Sequence, residues 1–450
     1  MKGRAKMSGY GVFEDINEAI DAAYEAQQIL IRKFTTQDRD AFIAKIKEKF
    51  LAIIDEETIK EFDETGYGRL DQKLKKNRES IATNPDTSSL TTRVFSSSDG
   101  ITVEYCAPYG LVGALTPVTN GIATVANNAM TMIAAGNSIV FNCHPAAKLA
   151  GAMAVSLVNE SVIELGGPPN LATMVREPDT KTLDVIMKSP KVRLLIGTGS
   201  EVMVKLLMLS NKKVIAAGPG NPPTIIDETA DIERAAAMLY ENVPFENNML
   251  CVLEKEAFVV EDVFDSFVKE MVRLGSRLLT AEEVEKLVPA SLVQNGEGGW
   301  GANKAMVGKD ANVVLKNAGI EPSPGDLRLA ICIVDHKHPF VEAEQMMPIF
   351  PIVKCKDVWQ AMDWAVEAEH GFRHTAAIWT RDFARATEFG RRIDCTALAH
   401  NGPTVATAGV GGSGDGSATI ATSTGEGFTN PASFTRIRRF TMANGGGYII

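Results

Sequence analysis

Between Leu111 and Ala216 the chain alternates short apolar runs with segments of helical spacing. No other feature restricts the fold as much. Leu111–Thr116, Ser138–Phe141, Ala172–Val175, Val192–Ile196 and Val214–Ala216 have the length and content of buried strands. Val125–Ala135, Ala146–Glu164, Thr182–Lys188 and Glu201–Leu209 carry helical spacing between them. This order predicts right-handed βαβ units and an open, mostly parallel sheet. Such sheets bind ligands at the carboxyl ends of their strands. The residues there are Thr116-Pro117, Asn142 to Pro145 with His144, Gly197 to Ser200 with Gly199, and Gly218 to Asn221. Tyr105 to Ala147 has no Asp, Glu, Lys or Arg, but Pro108, Pro117, Asn120, Asn127, Asn128 and Asn137 interrupt it too often for a bilayer span. A sheet covered on both faces accounts for the run, and no membrane partner is expected.

At 450 residues the chain can bury more than one core. Upstream, helices are expected over Glu14–Phe34, Arg39–Ile54 and Glu57–Lys76, the last broken near Gly66 and Gly68. The charges of Lys73–Arg78 read as a solvated face. Arg93–Ser98 and Ile101–Tyr105 flank Asp99-Gly100, a hairpin signal. Phe434–Ile450, basic and then apolar, is a candidate strand partner for that hairpin. A second α/β unit is expected from about Asp231, with a helix over Asp262–Leu274. The net charge of −10 disfavours nucleic acid as a partner. Six cysteines without Cys-x-x-Cys form no disulfide framework, which points to a reducing, cytoplasmic setting. The basic Met1–Met7 start leads into no apolar run of signal-peptide length.

Cys251 follows a polar, turn-rich segment and precedes an apolar run. A thiolate at such a junction could attack an electrophile, although a buried structural cysteine fits the same residues. Gly197-x-Gly199 before Ser200 could set backbone N–H groups against a phosphate. It lacks the third glycine of a dinucleotide fingerprint, having Val202 there, so an ordinary tight turn stands beside that reading. His336 and His338 lack further ligands at regular spacing, and no metal site is expected. His370 and His374 could share a helical face, with a hydrogen-bonded loop role the stronger reading. No Gly-x-Ser-x-Gly and no Walker loop occurs, which disfavours serine hydrolases and nucleotide phosphatases.

Several segments in one order carry a family resemblance. They are Ala107–Asn120, Ala134–Phe141, Gly197–Ser200, Asn247–Cys251, Glu344–Pro348 and Glu369–Ala376. Over nearly its whole length the chain resembles aldehyde dehydrogenases. More narrowly, it resembles the CoA-acylating propionaldehyde and acetaldehyde dehydrogenases associated with bacterial microcompartments. The resemblance implies an α/β fold with a Rossmann-type nicotinamide domain (1–92 and 108–230), a catalytic domain (231–425) and a β-hairpin oligomerisation arm (93–107 and 426–450). It aligns Cys251 with the nucleophile and Asn120 with the oxyanion-hole amide. The NAD-binding set it implies is Thr116, Pro117, His144, Gly199, Ser200, Gly218 and Glu344, with Glu344 on the nicotinamide ribose. Ala147 replaces a ribose-binding Glu of NAD-selective relatives. Ala217 stands where hydrolytic relatives carry a water-activating Glu.

The implied reaction is oxidation of a short-chain aldehyde to acyl-CoA, with NAD as cofactor and coenzyme A as co-substrate. A homodimer or dimer of dimers is implied, with microcompartment shell or cargo proteins as further partners and the compartment interior as a second location. Two alternatives are a hydrolytic NAD(P)-dependent aldehyde dehydrogenase and a non-catalytic microcompartment-associated protein.

Overall fold

The computed structural model describes residues 10–294, 298–409, 411–414 and 416–443. The chain forms two compact units. The first takes the segments ending at Thr65, spanning Lys76–Ala217 and following Asp415; the second takes Gly66–Lys75 and Gly218–Gly414.

The first unit is built on a six-stranded parallel sheet. Its spatial order is Val12–Phe13, Ala172–Val175, Ser138–Asn142, Leu111–Leu115, Val192–Thr198 and Lys213–Ala217. All five expected strands are present. Val12–Phe13 is an addition, because two residues are too short to show a period. The two central strands are buried along their whole length. Their alternate residues enter different cores: Val112, Ala114, Ile139 and Phe141 pack with Phe42, Phe50 and Val158, while Leu111, Leu115 and Val140 pack with Ile20, Ile186 and Leu207. That is the two-sided cover the uncharged run predicts.

Two expectations fail here. No helix starts at Glu57: Thr36–Thr65 is one continuous helix of 30 residues. Phe42, Ile46, Phe50, Ile54, Thr58 and Glu61 make a single buried stripe along it. Gly66 and Gly68, at φ 65° and 79°, end it, and a new helix runs over Leu70–Ala82. Nor is Lys73–Arg78 simply a solvated face, since Lys73 and Asn77 are buried. Asn77 donates to Thr58 Oγ1 at 3.0 Å and Glu61 Oε2 at 2.8 Å. One stripe of that charged stretch is thus core.

The hairpin forms as expected, with Arg93–Ser97 antiparallel to Gly100–Pro108. Thr435–Ala443 pairs with the other edge of Gly100–Pro108, in register from Thr435↔Pro108 to Ala443↔Gly100. A Cβ on Gly100, at φ 131°, would stand 1.9 Å from the Met442 carbonyl oxygen, so this turn needs glycine. Residues 444–450 of the expected C-terminal segment lie outside the described residues.

The second unit holds a seven-stranded parallel sheet. Its order is Arg277–Leu278, Ala330–Val334, Ile349–Cys355, Glu256–Val260, Pro223–Ile226, Thr375–Trp379 and Ala397–His400. The middle strand, Glu256–Val260, is wholly buried; Phe258 enters one core with Ile225 and Val353, and Val259 enters the other with Phe267 and Ile352. The helix expected from Asp262 spans Glu261–Leu274. His370 and His374 share no helical face. The helix before them ends at Ala368, and both lie in the turn that leads into Thr375–Trp379.

Candidate active site

Cys251 sits on the loop that enters the middle strand of the second unit. Three residues upstream of it, Glu246, Asn247 and Asn248, have left-handed backbone, with φ of 50°, 54° and 61°. Asparagine tolerates that region better than most residues, whereas glutamate does so only under constraint. Here the constraint is dense. Glu246 accepts the Arg69 N–H at 3.0 Å and lies 3.3 Å from the buried Lys73 ammonium, while its own N–H donates to Gln72 at 2.7 Å. Asn247 Nδ2 donates to the Gly308 carbonyl and to Asp310, both at 2.9 Å. Asn248 Nδ2 donates to the carbonyls of Val243 at 2.8 Å and Glu254 at 2.9 Å. The two asparagines before the cysteine are therefore ties that shape the loop.

Four ionisable side chains set the electrostatics of this loop. Cys251 is half-buried; desolvation and then the Glu344 carboxylate push its thiol up to about 12, with Lys255 acting in the opposite direction. Burial pulls Lys255 down to about 8. Burial pushes Glu344 up to about 7, against the Lys255 ammonium and the Gly220 N–H. His374 is buried and falls to about 4, so its imidazole is neutral at pH 7. Its Nδ1 pairs with Thr375 Oγ1 at 2.7 Å, and its Nε2 is buried without a protein partner. A Cβ on Gly220 would stand 2.8 Å from His374 Cγ and 2.9 Å from the Cys251 carbonyl oxygen. Only glycine fits between the imidazole and the cysteine backbone. Behind these lie Glu254, which accepts the Thr404 N–H at 2.7 Å, and Glu256, whose buried carboxyl oxygens have no protein hydrogen-bond partner and which desolvation pushes well above the usual carboxylate range.

Sequence reasoning named Cys251, Gly218 and Glu344 in this unit and missed Lys255, Gly220 and His374 as neighbours of the thiol. A signal for Lys255 was present: Glu254-Lys255-Glu256 runs directly into the apolar Ala257–Val260. Three ionisable residues at the mouth of a buried strand must be satisfied inside the protein.

In the first unit, three neighbouring strands carry the other expected residues. Thr116 and Pro117 follow Leu111–Leu115, His144 follows Ser138–Asn142, and Gly199 and Ser200 follow Val192–Thr198. His144 is exposed, and its Nδ1 accepts the Ala146 N–H at 3.1 Å. A Cβ on Gly197 would meet Leu207 Cδ1 at 2.1 Å, so that glycine serves helix packing. A Cβ on Gly199 would touch only Met203 Cβ, at 3.8 Å, which leaves its backbone open to approach. Asn120 precedes the helix Gly121–Ala134 but does not cap it with its side chain. Glu61 takes the Ile122 N–H instead, at 2.9 Å. The Asn120 amide is thereby released from the usual N-cap duty, and its Oδ1 is buried without a protein partner. Ala217 ends the strand Lys213–Ala217, buried, with only a methyl group to offer. Among the described residues, no group of three or more His, Cys, Asp or Glu could hold a metal ion.

Comparison with known proteins finds relatives over nearly the whole chain. The acetylating acetaldehyde dehydrogenase of Escherichia coli K12 is 38% identical over 436 residues, which cover 96% of this chain and 92% of that relative. The CoA-propanoylating propanal dehydrogenase of Salmonella typhimurium is 36% identical over 437 residues, covering 97% and 93%. Among solved structures, a propionaldehyde dehydrogenase from the Clostridium phytofermentans fucose-utilisation microcompartment superimposes with a TM-score of 0.92 at 37% identity, covering 96% of this chain and 98% of that one. The Rhodopseudomonas palustris propionaldehyde dehydrogenase, solved with bound CoA and an acylated cysteine, gives the same TM-score, identity and coverage. The aldehyde dehydrogenase family model matches residues 10–431. With that match spanning both parallel sheets and the Cys251 loop, the chain belongs to the aldehyde dehydrogenase family.

Proposed function

We propose that the protein oxidises a short-chain aldehyde, propionaldehyde or acetaldehyde, to its acyl-CoA with reduction of NAD, through a thioester on Cys251. The observation that carries this is the built surrounding of Cys251, set in a buried ionisable cluster, combined with a methyl group at Ala217. Cys251 Sγ adds to the aldehyde carbonyl carbon. The oxyanion takes hydrogen bonds from the Asn120 amide and the Cys251 N–H, contacts of a kind worth about 3–4 kcal/mol. When bound, the nicotinamide accepts the hydride released from the carbonyl carbon. The thioester left on Cys251 is then attacked by the CoA thiolate, which is intrinsically nucleophilic and needs less base assistance than water. The acyl group leaves on CoA, and the Cys251 sulfur is returned.

The strand ends suit a dinucleotide. Gly199 can be approached closely, and Thr116-Pro117 and His144 stand on adjacent strands. Gly218 and Glu344 complete the set, with Glu344 assigned to the nicotinamide ribose. One lost hydrogen bond is worth about 0.5–1.5 kcal/mol. His144→Ala is therefore expected to raise the cofactor KM about two- to tenfold, with kcat nearly unchanged, because a positioning contact contributes mostly uniform binding. Initial-rate kinetics over a cofactor series test this; a fall in kcat at constant KM would remove His144 from the cofactor set.

The arm supports an oligomer. Val94, Phe95, Ile437 and Phe440 are 62%, 51%, 65% and 57% exposed, and their spacing puts apolar side chains on both faces of the three-stranded sheet. An arm with apolar faces and open edges is suited to pairing with a second subunit. Sedimentation at micromolar concentration is expected to give a dimer or dimer of dimers, with Ile437→Asp/Phe440→Asp shifted to smaller species. A wild-type monomer would overturn the assignment.

A further inference from the structure

Lys255 is fully buried, yet among the described residues no carboxylate oxygen lies within ion-pair distance of its Nζ. Its ammonium is bound by three neutral acceptors, the Asn248 carbonyl at 2.8 Å, Asn248 Oδ1 at 2.6 Å and the Leu250 carbonyl at 3.1 Å. An ammonium has three N–H donors, so all are used. The acceptors are the last residue of the left-handed turn and the residue immediately before Cys251. The lysine's backbone is fixed as well: its N–H donates to the Pro222 carbonyl at 2.9 Å, and its carbonyl accepts Gln345 Nε2 at 2.7 Å. A cation brought into the interior without a counter-ion is costly, and retention of such a charge calls for a role that a neutral side chain would not fill.

We propose that Lys255 is a positioning residue for the nucleophile: its buried ammonium, bonded to Asn248 and Leu250, locks the loop that presents Cys251 and is the positive charge that favours the Cys251 thiolate. The inference rests on Cys251 being the nucleophile. Other charged or titratable groups around this pair are Glu344, whose charge opposes the thiolate, Glu254 and Glu256 on either side of the lysine, and His374. Burial pushes the Glu256 carboxyl well above the usual carboxylate range, His374 is neutral at pH 7, and Glu344 titrates close to neutrality. Lys255 is the cation that lowers the thiol against desolvation and Glu344. Removing it should therefore leave desolvation and Glu344 unopposed.

The test is the rate constant for Cys251 alkylation by iodoacetamide at pH 7, where Lys255 carries its charge, followed by intact mass and peptide mapping on the full chain without substrates. Lys255→Met is expected to lower that rate constant about tenfold or more. kcat should fall at least as far while NADH affinity stays within about twofold. Lys255→Arg keeps the charge and should return the rate constant to within about threefold of wild type. A merely structural clamp would lower the melting temperature and leave the alkylation rate where it was; that result, in folded Lys255→Met, overturns the proposal. If Lys255→Met does not accumulate, Lys255→Arg decides alone: a rate near wild type supports the proposal, and a fall of about tenfold overturns it. Failure of the nucleophile reading would look different, as turnover persisting in Cys251→Ala.

Discussion

Cys251→Ala is expected to form no NADH above background from aldehyde, NAD and CoA, while binding NADH as wild type does. In the proposed reaction the sulfur becomes bonded to the substrate, so no other interaction can replace it. Deleting a covalent nucleophile can cost roughly 10⁶ in kcat, the loss seen in a serine protease. The fold should survive, because the loop is held by Glu246, Asn247, Asn248 and Lys255 rather than by the thiol. The other cysteines supply the controls. Cys143, Cys332 and Cys355 are buried, and burial pushes each thiol up to about 12. Without a built site around them they are inert packing. Cys395 bonds the Ala397 carbonyl at 3.1 Å, and Cys106 lies on the hairpin arm. Serine at either should leave turnover near normal. Stopped-flow NADH absorbance with a parallel NADH fluorescence titration makes the measurement. Appreciable turnover in Cys251→Ala, or activity lost only on changing Cys143, would sink the assignment.

The strands of the first unit were legible because each is a short uncharged run between helical patterns, and burial on both faces leaves no other composition available to them. The misreadings share a physical cause. Glu57 looked like a helix start because acidic residues favour first turns, but Thr58 and Glu61 continue the buried stripe of the preceding helix. Lys73 looked solvated because lysine usually is; its partner Glu246 lies far along the chain, and sequence carries no sign of so distant a pairing. The site followed the same division. Cys251, Asn120 and Ala217 are singled out by the family resemblance, whereas Lys255 and His374 come to the Cys251 loop only through its three-dimensional course. His374 meets the cysteine backbone only because Gly220 has no side chain. The left-handed run at Glu246–Asn248 is the least legible feature, since nothing in Glu-Asn-Asn dictates three successive positive φ values without the partners that enforce them.

Mixed with aldehyde and NAD but without CoA, the enzyme is expected to give one rapid equivalent of NADH per active site and then a slow phase. Acylation of Cys251 needs no water and should proceed at its full rate. Deacylation by water needs a base, and position 217, which the family resemblance sets against a water-activating glutamate, holds a buried methyl at the end of Lys213–Ala217. General-base assistance is commonly worth about 10²–10⁴ in rate, so the slow phase should lag the burst by a factor in that range. Glu344 and His374 lie in the cluster around Cys251, but Glu344 is assigned to the cofactor ribose and neutral His374 is packed against Gly220. With CoA, steady turnover should return and acyl-CoA should be the product. Intact-mass spectrometry of the CoA-free mixture should show the chain heavier by one acyl group, and Cys251→Ala should show none. Ala217→Glu is expected to recover only part of the hydrolysis, because Pro219 and Pro222 restrict the backbone that follows the new side chain. Free acid released at the full steady rate without CoA would mean that another residue activates water at Cys251, and the acylating assignment would fall with it.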